Sequence, residues 1–574
     1  MIMIKLTMLK RHWIFFLMLV IFLLLLAKNP FSVRTLIPNL EPYPDTIHYI
    51  NPALSFIQGH GLRIWREGRG LMTTVPPLYT IFLVPLFLIK QDARMFYFTN
   101  VILALFSYLF FYLIINRLTY EVRRHNEKTA SVLIGTTLFI YVTNYFIYWY
   151  PTLAMSENLT LFLFMGGVYL LTLPTTRKNI ILAGLTAVAF YITKYASIPL
   201  TGTYFLSYGV KIIIEKGDKL KNVLILILVS AFVFLAYSLW EWQTKGSTLL
   251  MTLIGVFLPQ KGSTIFSSGS WFSLNYAAKN LPRYIHALFG GYAAPFLWDQ
   301  TPIVPKMVGT LGLTGLILGG LSKKTRFLSI SLSSILLSSI LFMSTFYSFD
   351  MRYLNFAIPT LMIGFVMFWM LIIERLDPRP SPKMTGKNTL FKLGSIVIPV
   401  KTGIQSAITL FLCFLFLYYS ATNFIRIKSQ ISINLRYAET PWYYLSIIKM
   451  NEYFSTLPET EKKPVVISSV IPYYIDFYSN KTYDLLPLSK HQEFRNHKTE
   501  AWGNHDYADL LKIYEEYLSR GYNVYVDNYG LGNEKVLQDD HTLIHRTFKT
   551  ELVSEGCLGA CNIWRLVEYR EMAK

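Results

Sequence analysis

Long apolar runs recur through the first three quarters of the chain, and most of the polar stretches between them are short. Read for runs that approach or exceed the roughly 17 to 25 apolar residues that cross a bilayer, the sequence gives segments at 12–27, 75–89, 94–116, 130–149, 152–173, 179–193, 195–214, 221–242, 305–321, 326–345, 353–374 and 403–421. After Tyr419 the pattern changes. The rest is polar and aromatic, with apolar runs PVVISSV, YNVYVDN and CNIWRLVEY around a helical pattern DYADLLKIYEEYLSRG. That alternation predicts a small α/β domain. Gly521 is expected as the C-cap of its helix, with Arg520 in the last turn.

Composition fixes the class. The 574 residues are 53% hydrophobic and only 15% charged, too apolar for one soluble core. The fold class expected is an α-helical polytopic membrane protein of about 11–13 spans, covering residues 1–421 with outer loops at 28–74 and 243–304, followed by a small extracytoplasmic α/β domain at 422–574. A net charge of +20 could point to nucleic acid, but much of it lies in short loops between apolar runs. It reads as membrane topology, and no nucleic-acid partner is expected.

Basic loops near 117–128, 174–178, 211–221, 322–326 and 374–402 are assigned to the cytoplasm by the positive-inside rule. The N-terminus has a basic start and an apolar core with no small-residue cleavage site after it, which predicts an uncleaved span starting in the cytoplasm. Asp45 is then outside. The alternation holds if 75–89, which is short and contains Pro85, is re-entrant or interfacial; the other reading is that the basic rule fails once. The same count puts Glu157, Lys194, the 243–304 loop, Arg352 and the tail on the outer side. In the cytoplasmic loop, VIPVKTGIQ resembles a translated repeat element found in bacterial genes, which implies a bacterial origin and a loop tolerant of insertion; the expected location is the bacterial inner membrane.

Ionisable residues at membrane depth are expensive, about 2.5 to 3.5 kcal/mol on insertion scales, so each needs a partner or a purpose. Asp45 sits in YPDTIHY, stiffened by Pro42 and Pro44, ahead of a surface helix marked by Ile47, Ile50 and Leu54. It can be the N-cap of that helix, a functional carboxylate, or both. Glu157, in SENLTLFLF, is either a functional acid or a partner for Lys194 or Arg352. Lys194 can snorkel to the surface, and Arg352 can pair locally with Asp350. Taken together, two carboxylates and two cations on one face could bind a phosphate and activate a hydroxyl or amide. Cys413 is expected as a buried thiol, while CLGAC at Cys557 and Cys561 could be a disulfide or two free thiols. GxGxxG, GxxxxGK and HExxH are absent from the tail.

A first span, an outer loop bearing PDTIHYINPALSFIQGHG and then PPLYTIFLVPLF, followed by LAMSENLTLFL, GLTAVAFYITKYASIPL and DMRYLNFAIPTLMI, together resemble the GT-C membrane glycosyltransferases. The likeness is to the dolichyl-phosphate-mannose protein mannosyltransferase and aminoarabinose transferase superfamily in particular. Lys194 stands where that superfamily usually has arginine, which weakens a bidentate phosphate clamp there. The resemblance implies transfer of a sugar from a polyprenyl-phosphate carrier to a protein, glycolipid or polysaccharide acceptor, among membrane lipids. It makes Asp45 the general base with Glu157 beside it as acceptor-orienting acid, Lys194, Arg352 and Tyr353 the donor-phosphate contacts, and His48 and Tyr49 substrate contacts. No metal ligand is assigned, and a divalent cation stays open as a cofactor. A glycan ligase or polymerase, and a lipid flippase or transporter, are the competing classes.

Overall fold

The structure is a computed structural model, and it describes residues 2–27, 45–66, 69–71, 75–215, 217–245, 272–289, 303–346, 349–376, 406–419, 421, 442–458, 462–470, 479–480, 482–488, 507–528 and 535–569. By contacts the chain divides into two compact units, Met1–Trp65 with Met72–Ile433, and Arg66–Leu71 with Asn434–Lys574. The basic loop 377–402 and large parts of both predicted outer loops lie outside the described residues.

Every predicted apolar run coincides with a helix of the first unit. In chain order these are α1 (Ile2–Ala27), α2 (Asp45–Ile57), α3 (Leu78–Ile89), α4 (Phe96–Leu118), α5 (Tyr120–His125), α6 (Glu127–Val142) and α7 (Tyr145–Trp149). They continue with α8 (Glu157–Thr172), α9 (Arg177–Thr193), α10 (Ile198–Ile214), α11 (Lys219–Lys245), α12 (Leu274–Phe289), α13 (Lys306–Leu321), α14 (Arg326–Ser344), α15 (Ala357–Leu376) and α16 (Ser406–Tyr419). Among the described residues four stretches, 93–118, 219–243, 326–344 and 351–374, are long and apolar enough to cross a membrane as single helices. One bent pair, Glu127–Val142 with Tyr145–Thr152, passes the same test together, and five further apolar helices among the described residues are shorter, at 10–17 residues.

The run 130–149, expected as one span, is broken. Asn144 ends the first piece: its Oδ1 accepts from the backbone N–H of Phe146 at 2.9 Å and of Ile147 at 3.3 Å, capping α7, while its Nδ2 donates to the Ile303 carbonyl at 2.7 Å. The two pieces meet at 51°. One asparagine therefore satisfies two of the backbone N–H groups that the break exposes, in keeping with what a bilayer requires. The helix α3 has 12 residues with Pro85 inside it, so it rises about 18 Å against a hydrocarbon core of about 30 Å. Cys413 is exposed rather than buried. It lies on the same outward stripe of α16 as Leu410, Phe414 and Leu417, and that spacing makes the stripe a lipid-type face.

Tyrosines knit the helices. Tyr97 donates to the Leu26 carbonyl at 2.6 Å and Tyr108 to that of Phe15 at 2.8 Å, joining α4 to α1. Elsewhere α4 packs on α8, α9 on α11 and α10 on α14. The closest approach is between α13 and α15. A Cβ at Gly315 would run into the carbonyl of Gly364, and one at Gly364 into the carbonyl of Gly312. Small residues let the backbones meet, which is how apolar helices gain contact where lipid and protein are equally oily.

The strands β1 (Ile64–Arg66) and β2 (Arg69–Leu71) form a two-stranded pair. The second unit holds α17 (Trp442–Ser455), β3 (Val465–Ser468), β4 (Asp484–Pro487), α18 (Tyr507–Ser519), β5 (Val524–Asp527), α19 (Lys535–Thr547), β6 (Phe548–Ser554) and β7 (Ile563–Tyr569). The main sheet has the order β4-β3-β5-β7-β6. The strands β4, β3 and β5 run parallel, and β7 pairs antiparallel with both β5 and β6. All three predicted apolar runs are strands. Gly521 takes the left-handed conformation, φ +78°, and its N–H donates to the Leu518 carbonyl at 2.9 Å. That closes α18 as its sequence predicts. Val465, Ile467, Val524, Val526, Tyr514, Ile544 and Leu566 form the core beneath the sheet. Cys557 and Cys561 are disulfide-bonded. The chain is thus an α-helical polytopic membrane protein with a small C-terminal α/β unit.

The glycine contact gives a paired prediction. Gly315→Ala should lower thermal stability in detergent by about 1 to 3 kcal/mol, because backbone must move to admit the methyl group. Gly209→Ala on α10, where an added Cβ meets nothing within 4 Å, should be neutral or stabilise by about 0.5 to 1 kcal/mol. Equal melting temperatures for the two variants would contradict the packing.

Candidate functional site

Three chain breaks meet inside the first unit. Glu157 opens α8 and is fully buried; Lys194 closes α9; Arg352 lies in the 3-10 turn Met351–Leu354 just before α15. Lys194 Nζ donates to Glu157 Oε1 at 2.8 Å. The partners suit their places, because a helix N-terminus favours the carboxylate and a helix C-terminus favours the ammonium. Lys194 Nζ also stands 4.4 Å from the centre of the Tyr353 ring, a cation–π distance.

Arg352 is held from the other side. Its backbone N–H and its Nε donate to Asp350 at 2.9 and 2.6 Å, and its Nη2 lies 2.5 Å from Asp350 Oδ2. Its Nη1 donates to the Met155 sulfur at 2.9 Å and is 3.9 Å from Glu157 Oε1. Asn355 Nδ2 donates to the Glu157 carbonyl at 2.7 Å, so the starts of α8 and α15 are tied by backbone as well as by charge. Two carboxylates and two cations sit in one cluster with no net charge. Glu157 Oε2 is buried and has no hydrogen-bond partner among the described residues.

The helix α2 reaches the same place. Tyr49 is buried, donates to Ser156 Oγ at 3.2 Å and packs edge-on against Tyr79 at 5.2 Å. Tyr79 in turn donates to Asn100 Oδ1 at 2.9 Å, and Asn100 Nδ2 donates to the Leu153 carbonyl at 2.6 Å. The loop before Glu157 is fixed from two sides by this chain of bonds. His48 is buried, and desolvation holds its imidazole at about 4; it is neutral at ordinary pH. Asp45 is the first residue of α2, one helical turn before Tyr49, and its side chain lies outside the described residues. Of the seven predicted site residues, Glu157, Lys194, Arg352, Tyr353 and Tyr49 are therefore joined by contacts or by a neighbouring residue. His48 is placed on the same helix as Tyr49.

The sequence reading passed over one charged group. Glu241, near the end of α11, is fully buried and accepts from Tyr195 at 2.6 Å and Tyr237 at 3.1 Å; the two hydroxyls are 3.1 Å apart. Tyr195 directly follows Lys194, in the 3-10 turn Tyr195–Ser197 that separates α9 from α10. The turn presenting Lys194 is thus anchored to a third helix. A lone carboxylate in WEWQTK at the end of an apolar run was the signal available. The amphipathic helix α12 packs over the Arg352 segment: Asn280 donates to the Phe346 carbonyl at 2.7 Å, and the Tyr284 hydroxyl accepts from the Asp350 N–H at 3.3 Å. Among the described residues no three His, Cys, Asp or Glu side chains converge to hold a metal ion.

No family model matches the chain, and no curated protein matches it in sequence. Solved structures do. The crystal structure of ArnT from Cupriavidus metallidurans bound to undecaprenyl phosphate superposes with a TM-score of 0.57 at 10% identity, over 96% of this chain and 97% of that one. The apo state of the same protein gives 0.55 at 11%, over 96% and 97%. The archaeal oligosaccharyltransferase AglB from Archaeoglobus fulgidus, in complex with an inhibitory peptide and a dolichol-phosphate, gives 0.45 at 11%, over 95% and 73%. Over 96% of its length this chain therefore shares its fold with ArnT, at 10–11% identity.

Proposed function

We propose that this protein is a glycosyltransferase that moves a sugar from a polyprenyl-phosphate-linked donor to an acceptor at the outer face of a bacterial inner membrane. One observation carries the reading: the chain shares its fold, over nearly its whole length, with a protein crystallised bound to undecaprenyl phosphate. The cluster at the helix breaks supports it chemically. A lipid-borne donor stays in the bilayer, so its phosphate meets the protein at the ends of spans, where Lys194 and Arg352 stand.

In the proposed reaction Asp45 takes the proton of the acceptor hydroxyl or amine as that atom attacks the anomeric carbon. The bond from that carbon to the phosphate oxygen breaks, and polyprenyl phosphate leaves with the bonding pair, inverting the centre. Negative charge grows on the phosphate as it departs, and Lys194 and Arg352 stabilise it there. Tyr353 holds Lys194 by its ring face. Glu157 Oε2, buried with an open acceptor position among the described residues, orients the acceptor or holds a divalent cation. His48 stays neutral through this pH range and contacts substrate with Tyr49. The C-terminal unit and the loops 28–74 and 243–304 face the outside in this reading, with the N-terminus in the cytoplasm.

Asp45→Asn should lower turnover by a factor of about 10² to 10⁴ while leaving undecaprenyl-phosphate binding intact. Mass spectrometry of glycolipids and glycoproteins from a strain lacking the gene, complemented with either form, reads the product. Undiminished product from the variant would overturn the base assignment. Tyr195→Phe removes one donor from Glu241, a charge-assisted bond of about 1.5 to 3 kcal/mol. It should speed hydrogen exchange across residues 193–198 and slow turnover through misplacement of Lys194, and unchanged exchange there would contradict the anchoring role.

A further inference from the structure

The second unit carries a feature that the glycosyltransferase reading does not use. His541 and His545, in HTLIH, lie one turn apart on α19, so both rings project from the same face. Their Nε2 atoms face each other at 3.4 Å. As a hydrogen bond between two neutral imidazoles this contact is a long one. Two nitrogens bound to one tetrahedral zinc at about 2.05 Å are separated by about 3.3 to 3.4 Å, which is the spacing seen.

The surroundings match a ligand pair. Nδ1 of His545 hydrogen-bonds Thr550 Oγ1 at 2.7 Å on β6, and the His541 ring hydrogen-bonds the backbone of Asp527 at the end of β5. Histidine ligands characteristically spend their second ring nitrogen on such outer contacts, which fix the tautomer and aim the other lone pair at the metal. Trp564 of β7 stands edge-on to both, with ring centres at 5.3 and 5.2 Å.

We infer that His541 and His545 form a two-histidine site for a divalent transition metal of borderline softness, zinc foremost, with water completing its coordination. His541 is buried and His545 half-buried, so the solvent access of the pair is through His545. Such an ion draws the last turn of α19 together with the β5, β6 and β7 contacts around it. Thiolate-seeking and oxygen-seeking ions are disfavoured by an all-imidazole pair, so calcium and magnesium stay unbound.

The test uses the full chain, purified in detergent and stripped with a chelator. Cu²⁺, a bright quencher with strong affinity for imidazole, should quench tryptophan fluorescence saturably at one equivalent, and EDTA should restore it. The saturable component should vanish in Trp564→Phe. In His545→Gln the apparent affinity should fall about tenfold or more. A measurement on the unaltered chain runs alongside: Zn²⁺ should protect His541 and His545 from diethyl pyrocarbonate, read by peptide mass spectrometry, and Mg²⁺ should not. Equal quenching in wild type and His545→Gln, or equal modification with and without Zn²⁺, overturns the site.

Discussion

The ion pair between Lys194 and Glu157 is the interaction on which the membrane unit is arranged. Taking an ammonium and a carboxylate out of water costs several kcal/mol each, and their attraction returns this only with good geometry and further hydrogen bonds. The chain supplies both. Glu157 sits at the positive end of α8 and Lys194 at the negative end of α9, and the Asn355–Glu157 and Arg352–Asp350 bonds lock the start of α15 alongside. Removing Lys194 would leave the buried Glu157 with only the longer contact to Arg352, at 3.9 Å.

That compensation has a functional side. In the described structure each cation is already held by a carboxylate, Lys194 by Glu157 and Arg352 by Asp350. In the proposed reaction an incoming phosphate would have to share or displace these partners. A phosphate that binds there gains two cations that are already oriented, with little further ordering to do, and preorganised charge is worth most where it meets charge that develops during a reaction. Lysine at 194 is a compact charge on a flexible stem, suited to swinging between Glu157 and a phosphate. The Tyr195–Glu241 bond ties the turn that carries it to α11.

Most of the fold was legible in hydropathy alone, for a physical reason: in lipid each backbone group must be satisfied within its own segment, so an apolar run becomes a helix. The failures are equally physical. Asn144 splits the run 130–149, but one asparagine hardly changes a window average, and its effect depends on a carbonyl at Ile303 that is 159 residues away. In the C-terminal unit PVVISSV, YNVYVDN and CNIWRLVEY read as strands, whereas β4, DLLP, and β6, FKTELVS, lack a long apolar run and were passed over. For the site, charge at membrane depth singled out Glu157, Lys194 and Arg352, and the sequence left their pairing open because contacts across 37 and 198 residues are set by packing. Glu241 carried the same signal and was missed because it falls at the polar end of its segment.

The account rests on Lys194 and Arg352 as the phosphate-binding pair. Its most direct test is native mass spectrometry of the purified chain titrated with undecaprenyl phosphate, comparing wild type with Lys194→Ala and Arg352→Ala, each checked for its melting temperature. The account predicts one bound lipid phosphate per wild-type chain and an affinity at least about tenfold weaker in each variant, the loss of one charge-assisted contact of about 1.5 kcal/mol or more. Folded variants that bind undecaprenyl phosphate as tightly as wild type would contradict it.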